Sequence, residues 1–588
     1  MILKILLASF STTMLVSASP SAAPTADALP PAPDRAKAVA QFRSHPFGMF
    51  IHFGLYSAYG GVYKGQPVKT TYMEQIMGRA HIPRDEFMAT AASFDLAKFD
   101  AEAICRLAQE AGMTQIVITT KHHDGFCMFR TKQTPRNIVR MGPTHRDPIA
   151  ELAAACAKHK LALGLYYSII DWSEGSGFDW NNDNPVTDEL IAYDCAQLKE
   201  LLTQYGPVSQ LWFDMGHPTP AQSRRLAETV WRHQPACAVN GRVWNEQGDF
   251  ITLGDNQISK GVVREPCQSP ASIEHQTWGY CSWLPHPMEA KKKGLEKAGE
   301  LSRVVSHGGC YLLNIGPKGS GEVDAYERET LQAVGAWMKV NGEAVTGARA
   351  VDFFAPLPWG AATAKGNHLY LHLHDVSKIG TEGLVLPGLQ AKPVKACVLG
   401  GGPLEVGEAG GQPRVAWNAS AAPPGGLPVV EIELDGPPVV LPPEPGQPKP
   451  GVFALEPTYQ RLNRNGAGYY HDATVRSVSY DFHLTESGQR QLVLRLGEKS
   501  GADDSLRVRV TAGEKEVGLR VIPVPEGVEY LDLGRVEIPA GKAICIEIAH
   551  RADAPGAILP VAPKMLYLVP PALAHGPAAL WQSLEPKP

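Results

Sequence analysis

The sequence predicts an α/β protein: a (β/α)8-like (TIM) barrel followed by two C-terminal antiparallel β-sandwich domains. Three observations predict it. Over residues 35–346, short apolar runs alternate with segments of helical periodicity, the order that builds a parallel sheet wrapped by helices. After Gly347 the helical patterns stop, and Gly, Pro and short β-branched runs at period two replace them. The barrel-type strands also end in polar residues, at the face where the loops of such a barrel build a site.

Taken in order, Phe47-Gly48-Met49-Phe50-Ile51-His52 reads as the first strand. Phe99 to Gly112 has helical spacing and stops at a glycine. The β-branched run Ile116-Val117-Ile118-Thr119-Thr120 is the next strand. Asp147 to Lys160 is helical and Leu161 to Tyr167 a strand; Asp188 to Tyr205 is helical and Val208 to Phe213 a strand. Gln222 to His233, Cys237 to Val239, Glu296 to Ser306, Tyr311 to Leu313 and Asp324 to Val340 continue the alternation. A doubly wound open sheet is the competing architecture, but no Gly-rich phosphate fingerprint follows the first strand. In residues 347–440, His368 to His374 and Val429 to Leu434 alternate at period two, as a small sandwich requires. Residues 441–451 are Pro-rich and read as a semi-rigid linker. Gln491 to Leu496 and Leu506 to Val510 then mark a second sandwich over residues 452–570. Tyr469, Tyr470 and His471 offer it an aromatic carbohydrate-binding patch; a purely structural or oligomer-forming sandwich is the competing reading.

Over 588 residues the hydrophobic and charged fractions, 44% and 20%, are those of an ordinary globular chain. A net charge of -5 gives no sign of a nucleic-acid or anionic-membrane partner, and the triplet Lys291-Lys292-Lys293 reads as solvated surface. Residues 1–23 have the form of a secretory signal: Lys4, a broken apolar run from Ile5 to Val16, and small residues at Ser21-Ala22-Ala23. The expectation is export, to the periplasm or the medium. No apolar stretch is long enough to span a bilayer, and a homo-oligomer is left open. None of the ten cysteines forms a CxxC pair, and most fall in core segments. They read as buried free thiols, with one or two disulfides left open after export.

Asp214 is the most informative residue. It ends the apolar run Gln210-Leu211-Trp212-Phe213 just before a glycine turn, where a carboxylate is costly to bury without a purpose. The other strand ends supply His52, then Lys121-His122-His123-Asp124, Tyr166-Tyr167, Asn240-Gly241-Arg242 and Asn314. His, Tyr and Arg around one carboxylate suit a polyhydroxylated ligand, and Trp278-Gly279-Tyr280 with Trp283 offer an apolar wall for a sugar face. Singly, each residue also has a structural reading: a core His52, an Arg242 paired with a surface acid, an Asp214 capping a helix at Pro218. A metal site on His122 and His123 is disfavoured. Adjacent residues at a strand end point to opposite sides, and no third ligand stands at a familiar spacing.

Five strings carry a family resemblance: Gly48-Met49-Phe50-Ile51-His52-Phe53-Gly54, Lys121-His122-His123-Asp124-Gly125-Phe126, Gly164-Leu165-Tyr166-Tyr167-Ser168, Leu211-Trp212-Phe213-Asp214-Met215-Gly216 and Leu313-Asn314-Ile315-Gly316-Pro317. In order and spacing the chain resembles the glycoside hydrolase family 29 α-L-fucosidases over about residues 35–440. The resemblance implies an exo-acting retaining enzyme in which Asp214 is the nucleophile and forms a covalent fucosyl-enzyme. A second carboxyl group would act as acid, then base. It implies a sugar pocket lined by His52, His122, His123, Tyr166, Arg242 and Trp278, a fucosylated glycan or glycoside as partner, and no metal or other cofactor.

The chain departs from the family twice. Where many members carry a Glu-Trp pair that grips the sugar, alignment on Tyr72-Met73 puts Thr70-Thr71, with Glu74 as a nearby substitute. That keeps open a related sugar such as α-L-galactose. Where many members carry the acid/base Glu stands Gly254; the next residue, Asp255, is the preferred acid/base, with Glu246 and Glu265 as alternatives. The missing Glu also leaves open a catalytically inactive fucose-binding protein.

Overall fold

The computed structural model describes residues 32–69, 71–173, 186–422, 426–455, 460–464, 475–497, 504–551, 559, 561 and 563–571. The signal-like segment, Thr70 and the Tyr469-Tyr470-His471 patch lie outside the described residues.

Eight strands form one parallel sheet: β1 (Phe47–Ile51), β2 (Gln115–Lys121), β3 (Ala162–Ser168), β4 (Gln210–Asp214), β5 (Ala238–Val239), β6 (Ile251–Thr252), β7 (Cys267–Ser272) and β8 (Cys310–Ile315). Their spatial order is β5-β4-β3-β2-β1-β8-β7-β6. The sheet curls until its two ends meet at a single parallel bridge between Asn240 and Phe250. Both faces are covered, so the central strands read as unbroken buried runs, as parallel sheets require. Helices α1 (Ala32–Arg43), α2 (Ala101–Glu110), α3 (Pro148–His159), α4 (Asp188–Gln204), α5 (Pro220–His233), α6 (Ala290–Ser306) and α7 (Ala325–Asn341) surround it. Their starts are encoded locally. Asp147 accepts from Ala150 N with Pro148 in the first turn, and Thr219 with Gln222 forms a capping box ahead of α5.

The barrel departs from a regular (β/α)8 pattern in one sector. The 240–250 connection from β5 to β6 holds only the short turn Gly241–Val243, and the 253–266 connection from β6 to β7 has no helix. Neither β6 nor β7 carries an apolar run, so neither stands out in the sequence. β7 even contains Pro270. It pairs with Leu312 of β8, while its carbonyl side lies beyond the end of two-residue β6 and accepts from Asn256 N at 2.9 Å. The missing amide therefore costs no ladder bond.

The first sandwich has a six-stranded and a three-stranded antiparallel sheet. The alternation at His368–Leu373 does not mark one dry and one wet face. Leu369, Leu371 and Leu373 fill the sandwich core, while buried His372 turns to the barrel and meets Ser302 Oγ of α6 at 2.9 Å. The Pro-rich stretch is shorter as a linker than its composition implies. Gly446–Lys449 forms a strand paired with Val452–Leu455, because its prolines sit where a sheet edge tolerates them. The second sandwich is two five-stranded sheets over a core that includes Tyr480, Leu494, Ile546 and Leu568. Arg264, just ahead of β7, joins all three parts: Nη2 lies 2.9 Å from Asp481 Oδ2 and 3.6 Å from Asp352 Oδ2. All ten cysteines stand as thiols; Cys105 and Cys156 touch across α2 and α3 at 3.9 Å between sulfurs. Among the described residues no helix is long and apolar enough to cross a membrane.

Candidate active site

Asp214 is the last residue of β4, only 6% exposed. The chain leaves it through two left-handed residues, Met215 (φ 61) and Gly216 (φ 78). For Met215 that conformation is strained, and it turns the backbone sharply away so that the carboxylate faces a cavity. Two donors hold the carboxylate. The Tyr166 hydroxyl donates to Oδ2 at 2.8 Å, and Arg242 Nη1 donates to Oδ1 at 3.0 Å. The register of β3 against β4 makes the first contact: Tyr166 stands two residues before Ser168, the partner of Asp214.

Arg242 sits in the short turn that replaces a helix after β5. Its guanidinium lies over the Trp212 ring at 4.6 Å, and its other arm, Nη2, donates to Asp255 Oδ1 at 2.6 Å and to Leu253 O at 3.3 Å. One planar fork thus holds both a strand-end carboxylate and a loop carboxylate at the cavity.

The histidines are neutral and aimed. Asn314 Nδ2 donates to Trp278 O at 2.7 Å, so its Oδ1, 2.6 Å from His52 Nδ1, accepts and the His52 proton sits on Nδ1. Burial pulls His52 down to about 3. Ser168 Oγ donates to Ile170 O at 2.9 Å and accepts from His123 Nδ1 at 2.8 Å. His123 Nε2, 3.9 Å from Asp214 Oδ2, is then an acceptor; burial, with help from Lys121 and Arg242, pulls this ring down to about 3. His122 stacks on Tyr166, is driven well below its ordinary value by burial, and its Nδ1 is buried with no hydrogen-bond partner.

Adjacent residues at a strand end were expected to diverge, yet the His122 and His123 rings lie 3.9 Å apart and both border the cavity. The reason is that β2 ends at Lys121 and the chain turns at once, with Gly125 N bonding back to His122 O. Gly125 is required there: at φ +79, a Cβ would fall 1.9 Å from Asp171 Oδ1.

The cavity, about 240 Å³, is bordered by His52, His122, His123, Asp214, Arg242, Asp255 and Trp278, with Phe50 and Trp212 at its base. Tyr166 is fully buried behind Asp214 and acts on the cavity through it. A larger cavity of about 430 Å³ lies between the barrel and the first sandwich; none of the barrel's strand-end residues borders it, so the chemistry belongs to the smaller one. Of the alternative acids, Glu265 stands just ahead of β7, at the amino end of the sheet and so opposite Asp214, and Glu246 does not border the cavity. Trp283 points elsewhere, donating to Gly61 O at 2.7 Å, and Thr71 is exposed.

Glu74 contributes more than its place beside Thr70-Thr71 promised. It borders the cavity, and its Oε2 accepts from the backbone amides of Trp278 at 3.1 Å and Gly279 at 2.9 Å, fixing the Trp278 wall. Burial pushes its carboxyl up to about 7. Tyr72 and Arg79 also reach the cavity, and no strand-end signal marks them because Tyr72 opens the turn Met73–Gln75 and Arg79 ends the short helix Ile76–Arg79, both between β1 and β2. Lys121 points away from the cavity. Its ammonium, fully buried, bonds Asp194 at 3.0 Å, faces Asp171 at 3.8 Å and lies over the Tyr167 ring. Among the described residues the one His/Cys/Asp/Glu set tight enough for a single ion is His275, Glu296 and Glu300, outside this cavity. The Lys297 ammonium already occupies its centre, 2.8 Å from His275 Nε2 and 3.1 Å from Glu300 Oε1.

The family model described as α-L-fucosidase matches residues 16–343. The chain belongs to the α-L-fucosidase family. Mouse tissue α-L-fucosidase is 28% identical over 342 residues, 55% of this chain and 73% of that relative. Two solved α-L-fucosidases share the architecture. The one from Vibrio sp. strain EJY3 is 26% identical with a TM-score of 0.62, over 91% of this chain and 98% of its own. Isoenzyme 1 from Paenibacillus thiaminolyticus is 28% identical with a TM-score of 0.59, over 68% and 100%. The Vibrio match extends beyond the first sandwich, where the sequence resemblance ended. As an α-L-fucosidase-family glycoside hydrolase, the chain lines a cavity of about 240 Å³ with the carboxyl groups of Asp214, Asp255 and Glu74, neutral imidazole acceptors and an aromatic wall.

Proposed function

We propose that the chain is an exported, exo-acting retaining α-L-fucosidase that removes terminal α-L-fucosyl residues from glycans. The observation that carries this is the pair Asp214 and Asp255 on one Arg242 guanidinium, both bordering one cavity. Retaining hydrolysis needs two carboxyl groups roughly 5–5.5 Å apart, one to attack and one to move a proton. In this reading an Asp214 oxygen attacks the anomeric carbon as the C–O bond to the leaving group breaks. Asp255, which this reading requires to be protonated when substrate binds, gives that proton to the departing oxygen, then regains one from the water that cleaves the glycosyl ester, and Asp214 leaves as carboxylate. Tyr166 and Arg242 keep the Asp214 oxygens fixed throughout. The acceptor nitrogens of His52 and His123 accept hydrogen bonds from sugar hydroxyls, and Trp278 covers an apolar ring face. The small volume, about 240 Å³, suits one sugar residue rather than several. Export rests on the signal-like form of residues 1–23.

The test is hydrolysis of p-nitrophenyl α-L-fucoside by wild type and Asp214→Ala, with NMR of the first-formed anomer. Wild type is expected to release α-L-fucose first, and Asp214→Ala to lose roughly four or more orders of magnitude in kcat. Added azide should restore turnover in the variant by taking the place of the missing nucleophile. First-formed β-anomer overturns retention. Cleavage of the α-L-galactoside instead moves the assignment to the related sugar, and fucose binding without any slow hydrolysis would support a fucose-binding protein.

A further inference from the structure

Most residues that border the catalytic cavity are buried. Tyr72, Gln75, Arg79 and Asp255 keep partial exposure, and they mark the rim where the cavity meets solvent. Tyr72, Gln75 and Arg79 come from the connection between β1 and β2, and Asp255 from the connection between β6 and β7. At about 240 Å³ the cavity suits one sugar residue, so the group that sugar is joined to has to lie across this rim. The proposed reaction steps use Asp255 there and leave the other three without a role.

These side chains are held in place. Tyr72 N donates to Gln276 O at 3.0 Å, and the next amide, Met73 N, donates to Thr277 Oγ1 at 3.1 Å. The Tyr72 ring packs against the apolar cluster that includes Phe50, Trp212 and Trp278. Its backbone is left-handed (φ 65), a conformation a tyrosine keeps only where its surroundings impose it. The Arg79 guanidinium lies over this ring at 5.4 Å, and its Nε and Nη2 donate to Gln75 Oε1 at 3.1 and 2.9 Å. Gln75 thereby fixes the plane of the fork. Burial, then the Asp255 carboxylate, pushes the Tyr72 phenol up, as expected for neighbours on one rim.

We propose that Tyr72 and Arg79 form the subsite for the leaving group, and that this subsite takes a sugar residue. The inference rests on the reading of Asp255 as the acid. An acid delivers its proton to the leaving oxygen, so the leaving group stands beside Asp255, on the solvent side of the bond that breaks. There it meets Tyr72 and Arg79 across the rim. A sugar suits both. Guanidinium N–H groups donate to hydroxyl or acetamido oxygens, and the Tyr72 ring covers a patch of C–H. A plain aryl or alkyl group offers Arg79 no acceptor.

The measurement is kcat/KM of the full chain on α-L-fucosyl fluoride and on fucosyl disaccharides joined to galactose or N-acetylglucosamine. Fluoride is a single atom and makes no use of the rim; a disaccharide does. Tyr72→Ala and Arg79→Ala should each lower the disaccharide-to-fluoride ratio roughly tenfold or more. Arg79→Ala should cost less on p-nitrophenyl fucoside than on the disaccharide. Equal fractional losses on fluoride and disaccharide would mean that the pair only shapes the pocket of the first sugar. No loss on either would leave the rim to solvent, and a larger loss on p-nitrophenyl fucoside would make it an aryl-binding rim. Each of these overturns the proposal, as does a wild type that cleaves the fluoride and none of the disaccharides. A wild type inactive on the fluoride overturns the roles of Asp214 and Asp255 first, and this subsite with them. Turnover of the fluoride reports whether each variant is folded. Should Tyr72→Ala fail to fold, Arg79→Ala, at the partly exposed end of its helix, still decides.

Discussion

Arg242 holds Asp214 and Asp255 on adjacent nitrogens, and this sharing separates Asp255 from its competitors in a way the sequence does not. In the sequence, Asp255, Glu246 and Glu265 are three acids on one long connection. Only the fold turns Glu265 to the far end of the sheet and Asp255 to the cavity. Asp214 was legible because an acid closing a buried run is rare. Glu74 was not, because its importance lies in backbone amides 204 and 205 residues away. If Asp255 is the acid/base, Asp255→Asn should lose activity in proportion to how badly the leaving group needs a proton. The expected loss is roughly 10²–10⁴-fold on a natural glycan and much less for the first step on p-nitrophenyl fucoside. Glu246→Gln and Glu265→Gln should stay near wild type on both. Comparable losses on both substrates in Asp255→Asn, or a glycan-selective loss in Glu246→Gln, would reassign the acid.

At the scale of elements, the site depends on where the barrel lacks helices. The β5–β6 and β6–β7 connections are loops, and they deliver Arg242 and Asp255 into the cavity that helices would have left more open. These were the strands hardest to read, because Ile251–Thr252 and Cys267–Ser272 carry neither an apolar run nor an alternation. The helix-bearing sector was legible from 3.6-residue periodicity and caps. On its opposite side, β2 ends in a buried ion cluster. Lys121 meets Asp194 and Asp171, and Asp171 belongs to the segment whose Trp172 N bonds His123 O at 2.7 Å. The cluster thereby braces the turn that presents His122 and His123. Lys121→Met should leave two buried carboxylates without their cation and destabilise the fold by about 3–5 kcal/mol. Urea unfolding at neutral pH measures this. A loss below about 1 kcal/mol would mean that Asp194, already bonded to Tyr167, does not need the ammonium.

Across the whole molecule, two opposed sets of buried groups set how stability depends on pH. The first is histidine. His52, His123, His372 and His374 are each pulled by burial to about 3, below the ordinary 6.5 they regain on unfolding. Between pH 3 and 6.5 the unfolded chain binds more protons at these sites, so they make stability rise with pH and add nothing further above 6.5. The second set is carboxyls pushed up by burial: Glu74 and Asp124 to about 7, Asp194 to about 6 and Glu327 to about 8. Here the folded chain holds the extra proton from about pH 4 upward, so these groups make stability fall as pH rises, Asp194 until 6 and Glu327 until 8. Below pH 4 the histidines act in the same direction as Glu300, which His275, Lys297 and Tyr311 hold at about 2 against burial, above 6.5 the raised carboxyls act, and in between the two sets oppose each other. The melting temperature should therefore peak between about pH 4 and 6.5 and decline from 6.5 to 8, each titrating group contributing up to about 1.4 kcal/mol per pH unit. Glu327→Gln should flatten the decline at its alkaline end, because the group that titrates last is gone. A melting temperature still rising from pH 6.5 to 8 would mean that these carboxyls are ionised in the fold, and that the cations near them, Lys121 and Arg79 above all, outweigh burial.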